Sequence, residues 1–272
     1  MNNLVVDFDN LFWIFFYKHF NFLKKQDFET NEVISETVNE TKNETEKELN
    51  DEEKFRLFLA TKESVKNCLK SFEEKFEINK IFLCCDSKAY FRKELIKSYK
   101  TTRKKTSLTV LGREFYEDIL NILKKNENSY ILKFDNAEAD DVAFFLAKIL
   151  AKKNENVFLI SNDNDWVQIL QFDKEKIKLF DPVKNKEKFL EEDIDEYILK
   201  KAIIGDKSDN IKGIEGIGVK KLPKFLEKLK EDNEQTKEIW KRINLIEQVI
   251  DIRLHPFSEE IEKNIKNFLV AQ

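Results

Sequence analysis

The sequence predicts an α/β fold, in which a mainly parallel twisted sheet is flanked by helices and followed by a helical C-terminal part. Short apolar runs recur through the first 180 residues, and they alternate with longer segments that have the spacing of core-facing helices. This alternation is typical of doubly wound α/β domains. Beyond about residue 190 the strand signals stop and helical patterns follow, near 193–204, 219–230, 235–250 and 258–269.

The elements of the first half are predicted from their local patterns. The run at 4–6 is the first strand, and the apolar run at 11–16 is too short to span a bilayer, so it predicts a helix packed on the sheet. Residues 24–54 are rich in Glu, Asn, Thr and Lys and predict an exposed acidic insertion without assigned function. Helical spacing of apolar residues over 55–72 predicts a helix that leads into a strand at 81–85.

The rest of the sheet is predicted in the same way. A strand at 130–134 precedes a helix with an apolar stripe from 142 to 150, and a strand at 157–160 follows. A short helix from Asp165 and a strand at 177–180 complete the alternation. We therefore divide the chain into an α/β core over 1–190 and a helical part over 191–272.

Composition limits the possible metals and the compartment. The cysteines Cys68, Cys84 and Cys85 lack C-x-x-C spacing, and His19 and His255 lie far apart, so zinc patterns built on these residue types are excluded and a metal would be held by oxygen. The chain has neither a signal peptide nor a long apolar segment, which predicts a cytoplasmic location and no membrane contact. A net charge of -4 neither requires nor excludes a polyanionic partner.

Several predicted strands end in aspartate. Asp7 and Asp86 follow the first two strands, and Asp163 and Asp165 follow the strand at 157–160. Because parallel strands bring their carboxyl ends to one sheet edge, these carboxylates should converge there. Two carboxylates about 4 Å apart repel by roughly 4 kcal/mol at an effective dielectric of about 20, so such a cluster folds only if metal, protons or basic groups neutralise it.

A further acidic group lies at 138–141, where a helix should begin. Its ordinary explanation is capping, with Asp135 or Asn136 as the N-cap and first-turn acids that favour the helix dipole. Capping does not explain the acids at the strand ends, and the joint pattern therefore favours a metal site. Carboxylates without imidazole or thiolate suit Mg²⁺, and two such ions suit hydrolysis at phosphorus.

The segment 88–105 is strongly basic, with eight Lys and Arg residues against the single acid Glu94. A Lys-rich run is ordinarily a solvated helix face. Here Tyr90, Phe91 and Tyr99 are interleaved with the charges, and the segment directly follows Asp86, so we favour a surface that binds a nucleic-acid backbone.

The glycines are concentrated in one short part of the chain. Of five glycines in the chain, all but Gly112 fall within 205–218, next to the run Gly205-Asp206-Lys207-Ser208-Asp209-Asn210. Gly213, Gly216 and Gly218 precede a predicted helix, and glycine lets backbone N–H groups approach a phosphate closely. The alternative is an ordinary tight turn.

Together these motifs resemble the 5′-nuclease family of flap endonucleases, 5′-3′ exonucleases and phage ribonuclease H enzymes. The resemblance extends from Leu4 to about Lys230. Its most specific parts are the acids at 138–141, the run from Ser161 to Gln168, and the run from Gly205 to Lys220. No polymerase domain follows in the chain, so free-standing phage ribonuclease H type enzymes are the most similar members.

The resemblance implies a PIN-like α/β nuclease core with two Mg²⁺ ions, for which Mn²⁺ can substitute. It implies that one ion is held by Asp7, Asp86, Glu138, Asp140 and Asp141, and the other by Asp163, Asp165, Asp206 and Asp209. Residues 88–128 resemble the helical arch, in which Arg92, Lys100 and Arg103 match the catalytic positions that contact the scissile phosphate and the 5′ strand.

The resemblance also implies a DNA-binding surface. Residues 204–230 resemble a helix-three-turn-helix that grips duplex backbone and holds a K⁺ ion. Trp13 falls where relatives place an aromatic residue that stacks on a base, although packing in the core is the alternative role. The remaining predicted contacts with DNA are Lys88, Lys93, Lys97, Lys104, Lys105, Gly213, Gly216, Gly218, Lys220 and Lys221.

The implied activity is removal of 5′ overhangs, flaps and RNA primers by a monomer, leaving a 5′-phosphate and a 3′-hydroxyl. The expected partners are branched or 5′-overhang DNA, RNA/DNA duplex, and replication proteins such as single-strand-binding protein or a sliding clamp. Pro223 departs from the family pattern and should kink or delay the helix that follows Gly218. A PIN-type single-stranded ribonuclease and a non-cleaving scaffold for branched DNA are the alternative functions.

Overall fold

A six-stranded sheet lies at the centre of the computed structural model, which describes residues 1–32, 49–103 and 105–271, without the side chains of 26–32. The strand order is β3-β2-β1-β4-β5-β6, and every pair is parallel except β5 with β6. The strands are β1 (Asn2–Asp7), β2 (Lys80–Cys84), β3 (Ser129–Leu132), β4 (Asn156–Ile160), β5 (Ile177–Phe180) and β6 (Glu187–Lys188). The predicted α/β class is confirmed.

The central strand β1 positions the site. It pairs with β2 on one side and β4 on the other, and Val5 lies opposite both Phe82 and Leu159. The central residues of these strands are apolar because helices cover both faces, as is usual for parallel sheets. Their carboxyl ends consequently lie side by side at one edge.

Helices cover the two faces of the sheet. One face packs against α1 (Phe8–Glu32), α2 (Asp51–Phe76) and α4 (Ser107–Leu123), whereas the short α3 (Tyr90–Leu95) lies outside this layer. The other face packs against α5 (Ala139–Lys152) and a 3₁₀ helix (Asp165–Gln171). Among the described residues, no helix is both long enough and apolar enough to cross a membrane.

The predicted C-terminal helices are present as α6 (Ile194–Ile204), α7 (Leu222–Lys228), α8 (Glu234–Ile250) and α9 (Ser258–Val270), with a 3₁₀ turn at Ile252–Leu254. Helices α6 to α8 share a separate apolar cluster, which Tyr99 joins. Helix α9 instead returns to the sheet core, where Ile261 and Ile265 are buried. A two-residue ladder, β7 (Gly205–Asp206) with β8 (Ile211–Lys212), lies where no strand was expected.

Several element boundaries differ from the predicted ones. Helix α1 continues to Glu32, past the predicted start of the insertion, and residues 33–48 of that insertion lie outside the described residues. Helix α2 begins at Asp51 because Asn50 caps it, accepting the N–H of Glu53 at 2.9 Å. Helix α5 begins only at Ala139, so the expected N-cap at Asp135 or Asn136 is wrong.

The contact between α1 and α4 requires glycine at position 112. A Cβ atom there would lie 2.5 Å from the Trp13 ring and 3.2 Å from Phe16. We expect Gly112→Ala to lower the free energy of unfolding by about 1 kcal/mol, because overpacking costs about 1–3 kcal/mol and outweighs the gain in helix propensity of up to about 1 kcal/mol. Urea unfolding measures the difference.

The matched control is Gly218→Ala, since a Cβ atom at Gly218 would meet nothing within 4 Å. We expect its free energy of unfolding to stay within about 0.5 kcal/mol of the parent value. A Gly112→Ala variant as stable as the parent would show that α4 can move away from Trp13 at no cost.

Candidate active site

The carboxyl edge of the sheet carries the first group of acids. Asp7 ends β1 and is 6% exposed; its carboxylate accepts the Ser161 hydroxyl at 2.7 Å and the Asn10 N–H at 3.1 Å. Asp86 lies two residues past β2, and its Oδ1 accepts the N–H of Ala139 at 2.9 Å. Asp7 and Asp86 line the same cleft, as the convergence of strand ends predicts.

The start of α5 brings two more acids to this cleft, its N-cap residue Glu138 and Asp140. The Oε2 atom of Glu138 accepts the Tyr99 hydroxyl at 2.7 Å and the Lys100 ammonium at 2.8 Å. Burial would raise the pKa of Glu138, but Arg92 and Lys100 bring it below its ordinary value.

The other acids of this group are poorly neutralised. Burial, followed by repulsion from Asp86, raises the pKa of Asp7 well above its ordinary value. Burial and Asp9 raise the pKa of Asp86 to about 6, and burial and Asp141 raise the pKa of Asp140. A cation at this edge would remove the repulsion, and an all-carboxylate donor set suits Mg²⁺.

A second acidic group lies beside the first. Carboxylate oxygens of Asp165, Asp206 and Asp209 lie within 4.8 Å of one another, a spacing that fits one divalent ion. Asp165 belongs to the 3₁₀ helix that follows β4, whereas Asp206 ends β7 and Asp209 lies in the turn between β7 and β8. Asp163 lines the cleft, and its Oδ1 accepts the N–H of Asp165 at 2.9 Å.

Lys201 of α6 neutralises part of the second group. Its ammonium contacts Asp165 and lies 2.8 Å from an oxygen of Asp206. Burial and Asp163 still raise the pKa of Asp165 to about 6 despite Lys201. Burial would raise the pKa of Asp206, but hydrogen bonds from Lys201 and Ser208 bring it to about 2. The residues therefore fit a cation, and Lys201 contacts the oxygens that would bind it.

Two predicted site residues, Arg92 and Asp141, pair with each other and do not line the cleft, although Nη1 of Arg92 also lies 3.5 Å from Glu138. Arg92 is 3% exposed, and its Nη2 and Nη1 donate to the two oxygens of Asp141 at 2.6 and 2.8 Å. Its Nε donates to the Val249 carbonyl at 3.1 Å. Asp141 also accepts the N–H of Glu138 and lies 3.4 Å from His255. In this structure Arg92 is thus not placed to contact a phosphate, and Asp141 does not face the cleft.

Lys100 is the basic residue that joins the two acidic groups. Its ammonium lies 2.8 Å from Glu138 and 3.9 Å from Asp209. Burial would lower the pKa of Lys100, but Glu138 and Asp209 raise it above its ordinary value, so the side chain stays charged. Arg103, which is more exposed, donates to Asp209 at 3.2 Å.

The remaining basic positions are spread over the surface. Lys105 lines the cleft with Lys100 and Arg103. Lys88, Lys93 and Lys97 are exposed outside the cleft lining, and Lys104 lies outside the described residues.

The aromatic residues Trp13 and Tyr17 line the same cleft as the acids, and the volume of this cleft is about 1380 Å³. Trp13 is half-buried: its ring packs edge-on against Phe12 and Phe16 and stacks on Tyr17 at 5.5 Å. Arg113 lies over the Trp13 ring at 5.4 Å. Trp13 thus combines packing with a surface on the cleft, so both roles considered for it are compatible with its position.

The glycine-rich run forms a tight turn before α7. A Cβ atom on Gly213 would lie 2.3 Å from the Ile203 carbonyl oxygen, so this glycine is required by the close approach of two backbones. Gly216 and Gly218 have open space around them, and Lys220 and Lys221 are exposed nearby. Pro223 lies in the first turn of α7, which begins at Leu222, so the helix is delayed as expected. A helix-three-turn-helix here stays a prediction.

Several residues of the site were missed in the sequence. Asp9 accepts the N–H of Asp86 and the Tyr116 hydroxyl, each at 2.8 Å, and pairs with Arg113. Its position two residues after Asp7 could have identified it as a residue of the same sheet edge. Lys201 and His255 gave none, because each meets its acidic partner only through the tertiary fold.

Comparisons with known proteins identify the family of this chain. Residues 56–199 match the family model described as the 5′-3′ exonuclease N-terminal resolvase-like domain. The flap endonuclease of Escherichia phage T5 is 30% identical over 151 residues, 49% of this chain and 50% of that protein. The 5′-3′ exonuclease of Buchnera aphidicola subsp. Schizaphis graminum is 30% identical over 179 residues, 63% of this chain and 59% of that protein.

Solved structures show the same fold. The phage T5 5′-exonuclease with bound zinc ions superposes with a TM-score of 0.66 at 20% identity, covering 98% of this chain and 99% of that one. A complex of phage T5 flap endonuclease with DNA and metal ions gives a TM-score of 0.64 at 20% identity, covering 98% of each chain. The chain spans about half the length of the curated relatives it matches, and the family model covers more than half of the chain. The chain belongs to the 5′-3′ exonuclease family.

Proposed function

We propose that this protein is a divalent-metal-dependent 5′ nuclease that cleaves phosphodiesters in 5′ overhangs, flaps and RNA primers paired to DNA. The observation that carries the proposal is the position of Lys100, whose ammonium lies between two acidic groups, 2.8 Å from Glu138 and 3.9 Å from Asp209. A phosphate that enters the cleft would meet a fixed cation with carboxylates on both sides.

The donor sets support two Mg²⁺ ions, with Mn²⁺ as a substitute. Asp7, Asp86, Glu138 and Asp140 would hold one ion, and Asp163, Asp165, Asp206 and Asp209 the other. When bound, the pair supplies a nucleophilic water and neutralises charge on the phosphate. The protein contributes the fixed spacing of its carboxylates, the Lys100 cation, and Arg103 at the mouth of the cleft.

The proposed chemistry requires no histidine base, and neither histidine lies in the site. The two histidines lie elsewhere: His19 bonds to Ser64 at 2.8 Å, and His255 is buried against Asp141. The proposed products are a 5′-phosphate and a 3′-hydroxyl, formed in the cytoplasm of a bacterial or phage-infected cell. A K⁺ ion at the glycine-rich turn, and assistance from single-strand-binding protein or a sliding clamp, belong to the same proposal.

The testing experiment uses three 5′-labelled substrates: a DNA flap duplex, an RNA/DNA duplex with a 5′ overhang, and plain single-stranded RNA. Each is incubated with Mg²⁺ or with EDTA, and product length is read on a gel. We expect Mg²⁺-dependent products from the two duplexes. Cleavage of the single-stranded RNA alone would favour a PIN-type ribonuclease, and binding without cleavage would favour a scaffold.

Lys100 should contribute to rate more than to affinity. We expect Lys100→Ala to lower the single-turnover rate on flap DNA by about a hundredfold, the usual effect of removing one preorganised donor, with a smaller loss of affinity. The fold should survive because Glu138 keeps its hydrogen bond from Tyr99. Lys241→Ala is the control, since Lys241 is 75% exposed on α8. Equal losses of rate and affinity would show that Lys100 contributes to substrate binding and not specifically to cleavage.

A further inference from the structure

The turn that carries Lys100 is hydrogen-bonded to the turn that carries Asp206 and Asp209. The backbone N–H of Lys100 donates to the Asp209 carbonyl at 2.8 Å. The Ser98 hydroxyl donates to the Asn210 carbonyl at 3.0 Å, although the two residues are 112 positions apart. Two distant segments of the chain thus meet directly beside the second acidic group.

The side chain of Asn210 adds the remaining contacts between these turns. Its Nδ2 donates to the Ser98 carbonyl and to the Thr101 Oγ1, each at 2.9 Å. One amide group is therefore attached to residues on both sides of Lys100. Asn210 does not line the cleft, and it is not one of the acids that would hold a metal.

Backbone geometry shows that the Lys100 turn needs such support. Lys100 has a φ of +52°, in the left-handed region that is unfavourable for a lysine. Asn210 has a φ of +56°, which asparagine tolerates better than most residues. A residue held in an unfavourable conformation keeps it only where surrounding contacts fix it, and here those contacts come largely from the Asn210 turn.

We propose that Asn210 is a positioning residue, which holds the Lys100 turn against the second acidic group and so keeps the Lys100 ammonium between Glu138 and Asp209. The inference rests on the proposed function, because the fixed ammonium matters only if a phosphate is cleaved there. Asn210 itself does not contact the substrate in this account. Its effect reaches the reaction only through the position of Lys100.

The test variant is Asn210→Gly, because glycine keeps the positive φ while removing the amide. We expect its single-turnover rate on flap DNA to fall by about ten- to a hundredfold, as displacement of a catalytic group by about 1 Å can do. The dissociation constant for flap DNA should change by less than about threefold, which corresponds to less than about 0.7 kcal/mol. No loss of rate would overturn the inference.

The matched control is Asn154→Gly. Asn154 has a φ of +63° and is exposed between α5 and β4, at the opposite end of the sheet. We expect it to keep the parent rate. A fall in rate equal to that of Asn210→Gly would show that the loss comes from the general effect of glycine in such turns, and would overturn the inference.

A double-mutant cycle separates positioning from an independent effect. In a Lys100→Ala background, Asn210→Gly should cost no further rate, because its target is already absent. The same loss in both backgrounds would overturn the inference.

Amide hydrogen exchange provides a readout that does not depend on activity. In Asn210→Gly, exchange of the Lys100 and Thr101 amides should accelerate by about tenfold, while the urea midpoint of the whole protein stays unchanged. Unchanged exchange at these amides would overturn the inference even if no substrate were cleaved. Failure of the proposed function is distinct, because it would appear in the parent protein as absence of Mg²⁺-dependent products.

Discussion

Asp206→Asn is expected to lower the cleavage rate on flap DNA by about a thousandfold or more, because loss of a ligand removes several kcal/mol of metal-derived stabilisation of the transition state. Carboxylate oxygens of Asp206 and Asp165 lie within 4.8 Å of each other, so they could bind the same ion, and both residues pair with Lys201. Asparagine lacks the negative charge that a divalent ion requires. Asp163→Asn should have the same effect, because Asp163 lines the cleft beside this group.

The folded structure should survive Asp206→Asn. Oδ1 of Asp206 accepts the Ser208 N–H at 2.7 Å, and an asparagine carbonyl oxygen can accept the same bond. Lys201 keeps its contact with Asp165. Binding of flap DNA, measured by fluorescence anisotropy, should therefore remain within about threefold of the parent value.

The control for charge removal is Asp232→Asn, since Asp232 is 87% exposed and its ion-pair partner is the exposed Lys237. Its rate should equal that of the parent. Addition of EDTA to the parent should reproduce the defect of Asp206→Asn. Full turnover by Asp206→Asn would contradict a role for the second acidic group in metal binding.

Arg92→Met is expected to have the largest effect on stability, a loss of about 3–5 kcal/mol in the free energy of unfolding. The substitution would leave Asp141, which is fully buried, without its bidentate partner. Burial of an unpaired carboxylate costs far more than the loss of an exposed pair. Urea unfolding at neutral pH measures this effect.

Two further variants test this explanation. Arg56→Met breaks an exposed pair with Glu52, and it should cost less than about 1 kcal/mol. Arg92→Met combined with Asp141→Asn should recover part of the loss, because it also removes the buried charge. A single Arg92→Met variant that is as stable as Arg56→Met would contradict the structural role of Arg92.

The pairing of Asp141 with Arg92 should make the stability of the folded protein depend on pH. Burial would raise the pKa of Asp141, but the Arg92 guanidinium brings it below its ordinary value. A depressed pKa stabilises the folded state above the unfolded pKa of about 3.9, and that contribution is lost as pH falls through the folded value. In Arg92→Met the buried, unpaired Asp141 should instead have a raised pKa. The difference in the free energy of unfolding between the parent and Arg92→Met should therefore narrow as the pH falls from that raised pKa towards the depressed pKa of the parent.

Local patterns were sufficient to predict the sheet and most of its helices. Strands that are buried on both faces read as short apolar runs, so all five parallel strands were located within two residues of their observed ends. The convergence of Asp7, Asp86 and Asp163 followed from parallel topology alone, because carboxyl ends of such strands share an edge. The helical pattern of α9 was visible too, but its return to the sheet was not, since packing partners are not encoded in periodicity.

The errors concern which way charged side chains point. Asp140 and Asp141 are neighbours in one motif, yet successive residues of a helix point about 100° apart, so the first lines the cleft and the second meets Arg92. The basic run around Arg92 suggested an exposed surface, whereas its partners come from α5 and α8. Lys201 could not be predicted as a counter-ion, because only the tertiary fold brings α6 against the 3₁₀ helix.

The most direct test of the two metal sites is anomalous diffraction from crystals soaked in Mn²⁺. We expect two peaks roughly 3.5 to 4 Å apart, as in other two-metal sites. One should lie among Asp7, Asp86, Glu138 and Asp140, and the other among Asp163, Asp165, Asp206 and Asp209, with Lys201 moved away from the second. Peaks elsewhere, or no peak beside either group at saturating Mn²⁺, would contradict the account.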